Sequence, residues 1–206
     1  PYMPSYGQLA VNWWKQVYGS DITYTNTALS GMDTNWGVSN VESRVNAYNP
    51  DLVIIAFGMN DGTANMAPAT YRANIQSIMR SVKTKNANAE FILIAPMIPN
   101  PESTFTGTQA AFKAELDKLA AGNDAIVVDM TSVHSYLLET KAYRDMTGNN
   151  INHPNDYLVR WYAQMVANSL IDNGYKSLTI STNYDDYATV TVNGKSYSLP
   201  YTGAFQ

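Results

Sequence analysis

The chain has 206 residues, 13 Lys plus Arg against 17 Asp plus Glu, a formal net charge of −4 and 45% hydrophobic residues. This length and apolar content suit one domain of ordinary size and exclude a wholly disordered chain, while the mild acidity speaks against a nucleic-acid-binding surface. With no cysteine and only two histidines, His134 and His153, disulfides, thiol catalysis, cysteine-ligated metals and a histidine-rich metal centre are excluded too.

Leu9, Trp13, Trp14 and Val17 recur near the 3.6-residue helical period, with Gly19 placed to end that helix. Residues 22–27 are β-branched enough to predict a strand. Val38, Val41, Val45 and Tyr48 predict a helix that stops at Asn49-Pro50. Residues 51–57 and 90–96 are continuous apolar runs, and 125–129 repeats the pattern, as in parallel strands covered on both faces. Between and after them, Tyr71, Ile75, Ile78, Met79 and Val82 form one helical stripe, and Phe112, Leu116 and Leu119 another that ends at Gly122. A last helix runs from Tyr157 to Ile171 with Leu158, Trp161, Tyr162, Met165, Val166 and Leu170, Pro154 in its first turn and Gly174 at its close. No run is long enough to span a membrane, and none reads as a signal peptide.

Strands alternating with helices predict an α/β fold over residues 1–176, a flavodoxin-like parallel sheet sandwiched by helices. From Ser177 on the pattern changes. Leu178, Ile180, Ala188, Val190, Val192, Tyr197 and Leu199 alternate with polar residues, and Val192-Asn193-Gly194-Lys195 is a hairpin signal. Residues 177–206 therefore read as a short antiparallel β tail or the start of a following β module.

In doubly wound sheets ligands bind beyond the carboxyl ends of the strands. Three segments placed there have unusual composition: Asn26-Thr-Ala-Leu-Ser-Gly31, Gly58-Met-Asn-Asp61 directly after the strongest strand, and Asn150-Ile-Asn-His153-Pro154 before the last helix. Singly, each is a turn or a helix start. His134 has no partner pattern and reads as structural or exposed.

Together and in this order, the three segments resemble the SGNH (GDSL-like) hydrolase family. The resemblance implies a secreted or cell-surface bacterial ester hydrolase that needs no metal or organic cofactor. It makes the Gly31 N–H and the Asn60 amide oxyanion donors, and His153 the base that takes the proton of a nucleophile. Asp61 would brace its loop, and Asn35 and Trp36 would form a substrate wall. The implied substrate is an acylated carbohydrate or small ester, with acetyl the expected acyl group.

The match breaks in two places. The acid that orients the histidine belongs three residues before it, where this chain has Asn150. A neutral amide cannot stabilise an imidazolium by charge, and the Asp-to-Asn change in serine proteases costs about 10⁴ in rate. The orienting group is then a backbone carbonyl, a carboxylate such as Asp145 or Asp156, or nothing beyond a dyad with the nucleophile. Second, the family's first block, Gly-Asp-Ser, is absent, and none of Ser5, Ser20 or Ser30 replaces it, so no nucleophile lies in this chain. The family's first strand is missing with it. A segment upstream of Pro1 is therefore expected to supply both strand and serine, because the neighbouring strands would otherwise lose ladder partners. The alternative is a non-catalytic carbohydrate-binding protein on the same fold. A nucleotide or flavin binder is weaker, since no glycine-rich phosphate loop follows any strand.

Overall fold

A computed structural model describes residues 3–171 and, further on, the backbone of residues 189–192 and 195–198. The chain divides into two units, Pro1–Ile171 and Asp172–Gln206. In chain order the elements are α1 (Tyr6–Tyr18), α2 (Thr34–Arg44), β1 (Leu52–Ile55), α3 (Met59–Thr63), α4 (Pro68–Lys85), β2 (Glu90–Ala95), α5 (Phe112–Ala120), β3 (Ala125–Asp129), α6 (Met130–Leu137), α7 (Tyr143–Met146), α8 (Asp156–Leu170), β4 (Thr189–Val192) and β5 (Lys195–Ser198).

In the first unit β1, β2 and β3 form a parallel sheet in that order, with Val53 opposite Phe91 and Leu93 opposite Val127. The apolar runs divide between its two faces with the two-residue strand period. Val53, Ile55, Phe91, Leu93 and Ala95 meet the buried residues of α2, α4 and α5 on one face. Leu52, Ile54, Ile92 and Ile94 meet those of α1, α6, α7 and α8 on the other. Each large aliphatic side chain buried in this way contributes about 1.5–3 kcal/mol. Trp14 adds a polar lock between two helices: its Nε1–H donates to the Ala167 carbonyl at 2.9 Å, tying α1 to α8.

The helix ends follow their sequence signals. Ser5 caps α1 through its Oγ, and Gly19 ends it in the left-handed region at φ 61°. Asn155 caps α8, so Pro154 precedes the cap rather than sitting in the first turn as expected. In α2 the buried residues are Thr34, Gly37 and Val41, whereas Val38 and Tyr48 of the expected stripe are exposed. The reason is Gly37, where a Cβ would come within 2.8 Å of the Phe57 ring and 2.9 Å of Ile78. The helix turns that bare backbone to the core together with Val41, and Val38 is left outside.

Residues 22–27, predicted as a strand, join no ladder among the described residues. The segment is pinned from the side instead: Arg44 donates to the Thr27 carbonyl at 3.3 Å, and Ile22 and Tyr24 pack on the α1–α8 face. The edge of β1 facing away from β2 likewise has no strand partner among the described residues. In the second unit β4 and β5 pair antiparallel, with Val192 opposite Lys195, as the hairpin signal predicted. Gly174 and the tail positions Leu178, Ile180, Ala188 and Leu199 lie outside the described residues.

Candidate active site

The loops singled out in the sequence gather at the carboxyl end of the sheet. Gly58 leaves β1 at φ 120°, and a Cβ there would stand 2.9 Å from the Pro96 ring, so glycine alone makes this turn. Three residues on, Asp61 is fully buried. Its Oδ2 accepts the Gly58 N–H at 3.0 Å, and its Oδ1 accepts the Thr34 N–H at 2.8 Å and the Thr34 hydroxyl at 2.5 Å. One carboxylate thus fastens the β1–α3 turn to the start of α2. Asn74 of α4 reinforces the joint by donating to Thr34 Oγ1 and Asn35 Oδ1, both at 3.0 Å.

With its loop fixed, Asn60 donates one amide N–H to the Met32 carbonyl at 2.9 Å. Gly31, next in sequence to Met32, is exposed at φ 81° with open space where a Cβ would project. The Gly31 N–H makes no hydrogen bond among the described residues. The segment that ends at Met32 and the β1–α3 turn are thus joined at the Met32 carbonyl. Asn35 is engaged at both ends of its amide, donating to Asp33 at 3.1 Å and accepting from Asn74. The Trp36 ring, half-buried, carries the Arg44 guanidinium 5.0 Å from its centroid.

His153 lies on a loop closed by an antiparallel bridge between Thr147 and Pro154. Its imidazole is exposed. Asn150 stands in the left-handed region at φ 56°, and no hydrogen bond joins its side chain to His153. Neither carboxylate considered from the sequence takes that place. Asp145 accepts the Ala142 N–H at 2.8 Å within α7, and the buried Oδ1 of Asp156 has no hydrogen-bond partner. The loop is anchored to the sheet by Asn100, whose Nδ2 donates to the Asn150 carbonyl and whose backbone N–H donates to the Ile151 carbonyl, both at 3.0 Å.

A pocket of about 190 Å³ is lined by Ala56, Phe57 and Met59 after β1, Pro96 and Met97 after β2, Asn152 and Pro154 around His153, and Tyr6 and Tyr162 from α1 and α8; Gly31, Asn60 and His153 are not themselves among its lining residues. Burial pushes the Tyr162 phenol up to about 12, so its hydroxyl stays neutral while it accepts the Met97 N–H at 3.3 Å. The walls are mostly apolar. Ser5 is no free nucleophile here, since its Oγ accepts the Gln8 N–H at 3.3 Å and lies 3.3 Å from the Tyr24 hydroxyl. No group of three or more His, Cys, Asp or Glu among the described residues is placed to hold a metal ion.

Sequence reasoning missed Asn74 and Asn100, which hold the two sides, and Gln109, whose amide donates to the Met59 and Phe105 carbonyls at 3.1 and 2.8 Å. Nothing local marks such residues, because an amide's partners lie in other loops. His134, read as structural or exposed, is fully buried; its ring meets Tyr143 edge-on at 5.3 Å and neither nitrogen has a hydrogen-bond partner. Burial lowers its pKa from 6.5 to about 4.

Residues 2–161 match the family described as GDSL-like lipase/acylhydrolase. Over 77 residues the chain is 30% identical to an arylesterase of Vibrio mimicus, a stretch covering 37% of this chain and 38% of that protein. It thus spans about two fifths of the length of the curated relatives it matches. Among solved structures, a mutant of an acetyl-xylooligosaccharide esterase from Geobacillus stearothermophilus aligns at a TM-score of 0.71 and 19% identity, covering 85% of this chain and 84% of that one. A two-domain esterase active on acetylated mannans aligns at 0.65 and 22% identity, covering 81% of this chain and 43% of that one.

Proposed function

The chain belongs to the GDSL-like lipase/acylhydrolase family, and on that premise we propose that it hydrolyses acyl esters, with acetylated carbohydrate as the substrate class. The observation that carries this reading is that the segment after β1 and the loop of His153 border one pocket, Met59 from the first and Asn152 and Pro154 from the second. The Asn60 amide is docked on the carbonyl of Met32, next in sequence to Gly31, whose N–H has no hydrogen-bond partner among the described residues. An ester carbonyl attacked there becomes a tetrahedral oxyanion, and donors already fixed in place stabilise it without reorganising. The names of the esterases with the same fold, active on acetylated mannan and xylo-oligosaccharide, support the substrate class.

In this mechanism a serine Oγ attacks the carbonyl carbon while His153 takes its proton. The oxyanion rests on Gly31 and Asn60. When it collapses, the carbon–oxygen bond to the alcohol breaks and His153 returns the proton to that oxygen. Water, activated by the same imidazole, then releases the acid from the acyl-enzyme. The serine is proposed to arrive on an extended segment that pairs with the free edge of β1, between that strand and residues 22–27. Its carboxyl end would then reach the pocket beside Tyr6 and Pro154. We further propose that the protein works outside the cell, in keeping with its weakly charged surface.

The test is p-nitrophenyl acetate hydrolysis by the protein with its upstream sequence included. His153→Ala should lower kcat by about 10³ or more, and Asn60→Ala by 10²–10³, roughly 3 kcal/mol. Equal rates in His153→Ala would remove the base assignment. A second reading, a non-catalytic carbohydrate binder, is favoured by one observation: Asn150 holds the position of the orienting acid and makes no bond to His153. Saturable binding of acetylated xylan with no acetate released would select it.

A further inference from the structure

No hydrogen bond among the described residues holds the imidazole of His153 by its ring, so its position depends on how firmly its backbone is fixed. Both main-chain groups of His153 are engaged, and both partners lie on the opposite arm of its own loop. Its C=O accepts the Gly148 N–H at 2.8 Å. Its N–H donates at 3.1 Å to Oδ1 of Asn149, the same oxygen that accepts the N–H groups of Ile151 and Asn152 at 3.0 Å each. One side-chain oxygen therefore gathers three consecutive donors ending at the histidine. The amide orientation is forced, because an NH₂ group cannot accept any of the three. The remaining Nδ2 donates at 3.0 Å to Oδ1 of Asn152, a buried residue of the pocket wall.

We infer that Asn149 is the positioning residue of this site, fixing the backbone of His153 where other members of such a site rely on a carboxylate that holds the ring. The inference rests on the reading of His153 as the base. With the Cα frame clamped, the imidazole keeps only two side-chain torsions. Without the clamp, three N–H groups lose their shared acceptor, and what still holds the loop, the Thr147–Pro154 bridge, Asn100 and the Asn155 amide on the Asp145 carbonyl, leaves residues 151–153 without it. Displacements of an ångström at a reacting group cost on the order of 10² in rate. A carboxylate at position 149 would serve the same three donors, with charge-assisted bonds, while alanine serves none.

The experiment compares the wild-type protein, its upstream sequence included, with Asn149→Ala and Asn149→Asp. Two readouts are taken: kcat and KM for p-nitrophenyl acetate, and amide hydrogen exchange of Ile151, Asn152 and His153. In Asn149→Ala, kcat should fall at least about tenfold with KM little changed, and the three amides should exchange at least about tenfold faster. Asn149→Asp should recover most of both. A general loss of folding in Asn149→Ala would also speed the amides of β2, and recovery by Asn149→Asp then decides the matter. The inference is overturned if Asn149→Ala keeps kcat within twofold of wild type, if its three amides keep their rates, or if Asn149→Asp is as impaired as Asn149→Ala. If the wild-type protein hydrolyses no ester, the esterase reading fails instead, and the three amide exchange rates alone judge Asn149.

Discussion

The two sides of the pocket are built from different materials. On the proposed oxyanion side a buried carboxylate, Asp61, ties two loops together, and Asn60 rides on that joint. On the proposed base side His153 is exposed, and its loop is held by neutral amides, the exposed Asn149 and the buried Asn100. A charge taken out of water must be fully hydrogen-bonded, and once it is, removing it leaves several buried donors with nothing to bind. Amides at a surface exchange their protein partners for water at little loss. The oxyanion side is therefore the rigid half of the site, and the base side is the half on which substitutions act through position more than through stability.

The sharpest way to break this contrast is Asp61→Ala. It strips acceptors from the N–H of Gly58 and the N–H and hydroxyl of Thr34, all in the interior, and should lower stability by about 3–5 kcal/mol in urea unfolding. A loss under 1 kcal/mol would mean that the two sides are equally loose. Next comes acid. His134 stands behind the base side, edge-on to Tyr143, whose hydroxyl donates to the Pro99 carbonyl at 3.1 Å next to Asn100. Its pKa falls from 6.5 to about 4 on folding. Between those values the unfolded chain binds more protons, so the contribution is complete above pH 6.5 and is lost as the pH falls toward 4. The full size is about 3 kcal/mol. His134→Leu should flatten the pH dependence of the unfolding midpoint in that window, and an unchanged slope would remove His134 from the account. The smallest effect belongs to Asn150. A left-handed residue tolerates Asn better than Ala, so Asn150→Ala should cost about 1 kcal/mol in thermal unfolding, while Asn150→Gly should be neutral or slightly stabilising.

The same contrast decides what could be read in advance. The three strands, and the helices α1, α4, α5 and α8, were legible because continuous apolar runs and 3.6-residue stripes report burial directly. Residues 22–27 have strand composition, but a strand also needs a neighbour, and composition says nothing about one. The predicted stripe was right at Val41 and wrong at Val38 and Tyr48, because α2 also packs through Gly37, which no hydrophobicity pattern reveals. In the site, the Gly58-to-Asp61 segment and His153-Pro154 stood out because each is compact in sequence. Asn74, Asn100 and Asn149 did not, since their roles consist of hydrogen bonds that exist only after loops distant in sequence have met. Asn149 does act locally, yet asparagine followed by asparagine reads as a turn and no more.

The edge of β1 that has no strand partner among the described residues carries a further consequence. Residues 52–55 read Leu-Val-Ile-Ile, with no charge or proline within the strand. Natural edges are normally guarded by such residues, because an unguarded apolar edge is a template for pairing between molecules. A segment that pairs with this edge to deliver a nucleophile would also shield it from other chains. Catalytic competence and resistance to aggregation would then depend on the same backbone hydrogen bonds, and a variant that weakens that pairing would lose solubility along with activity.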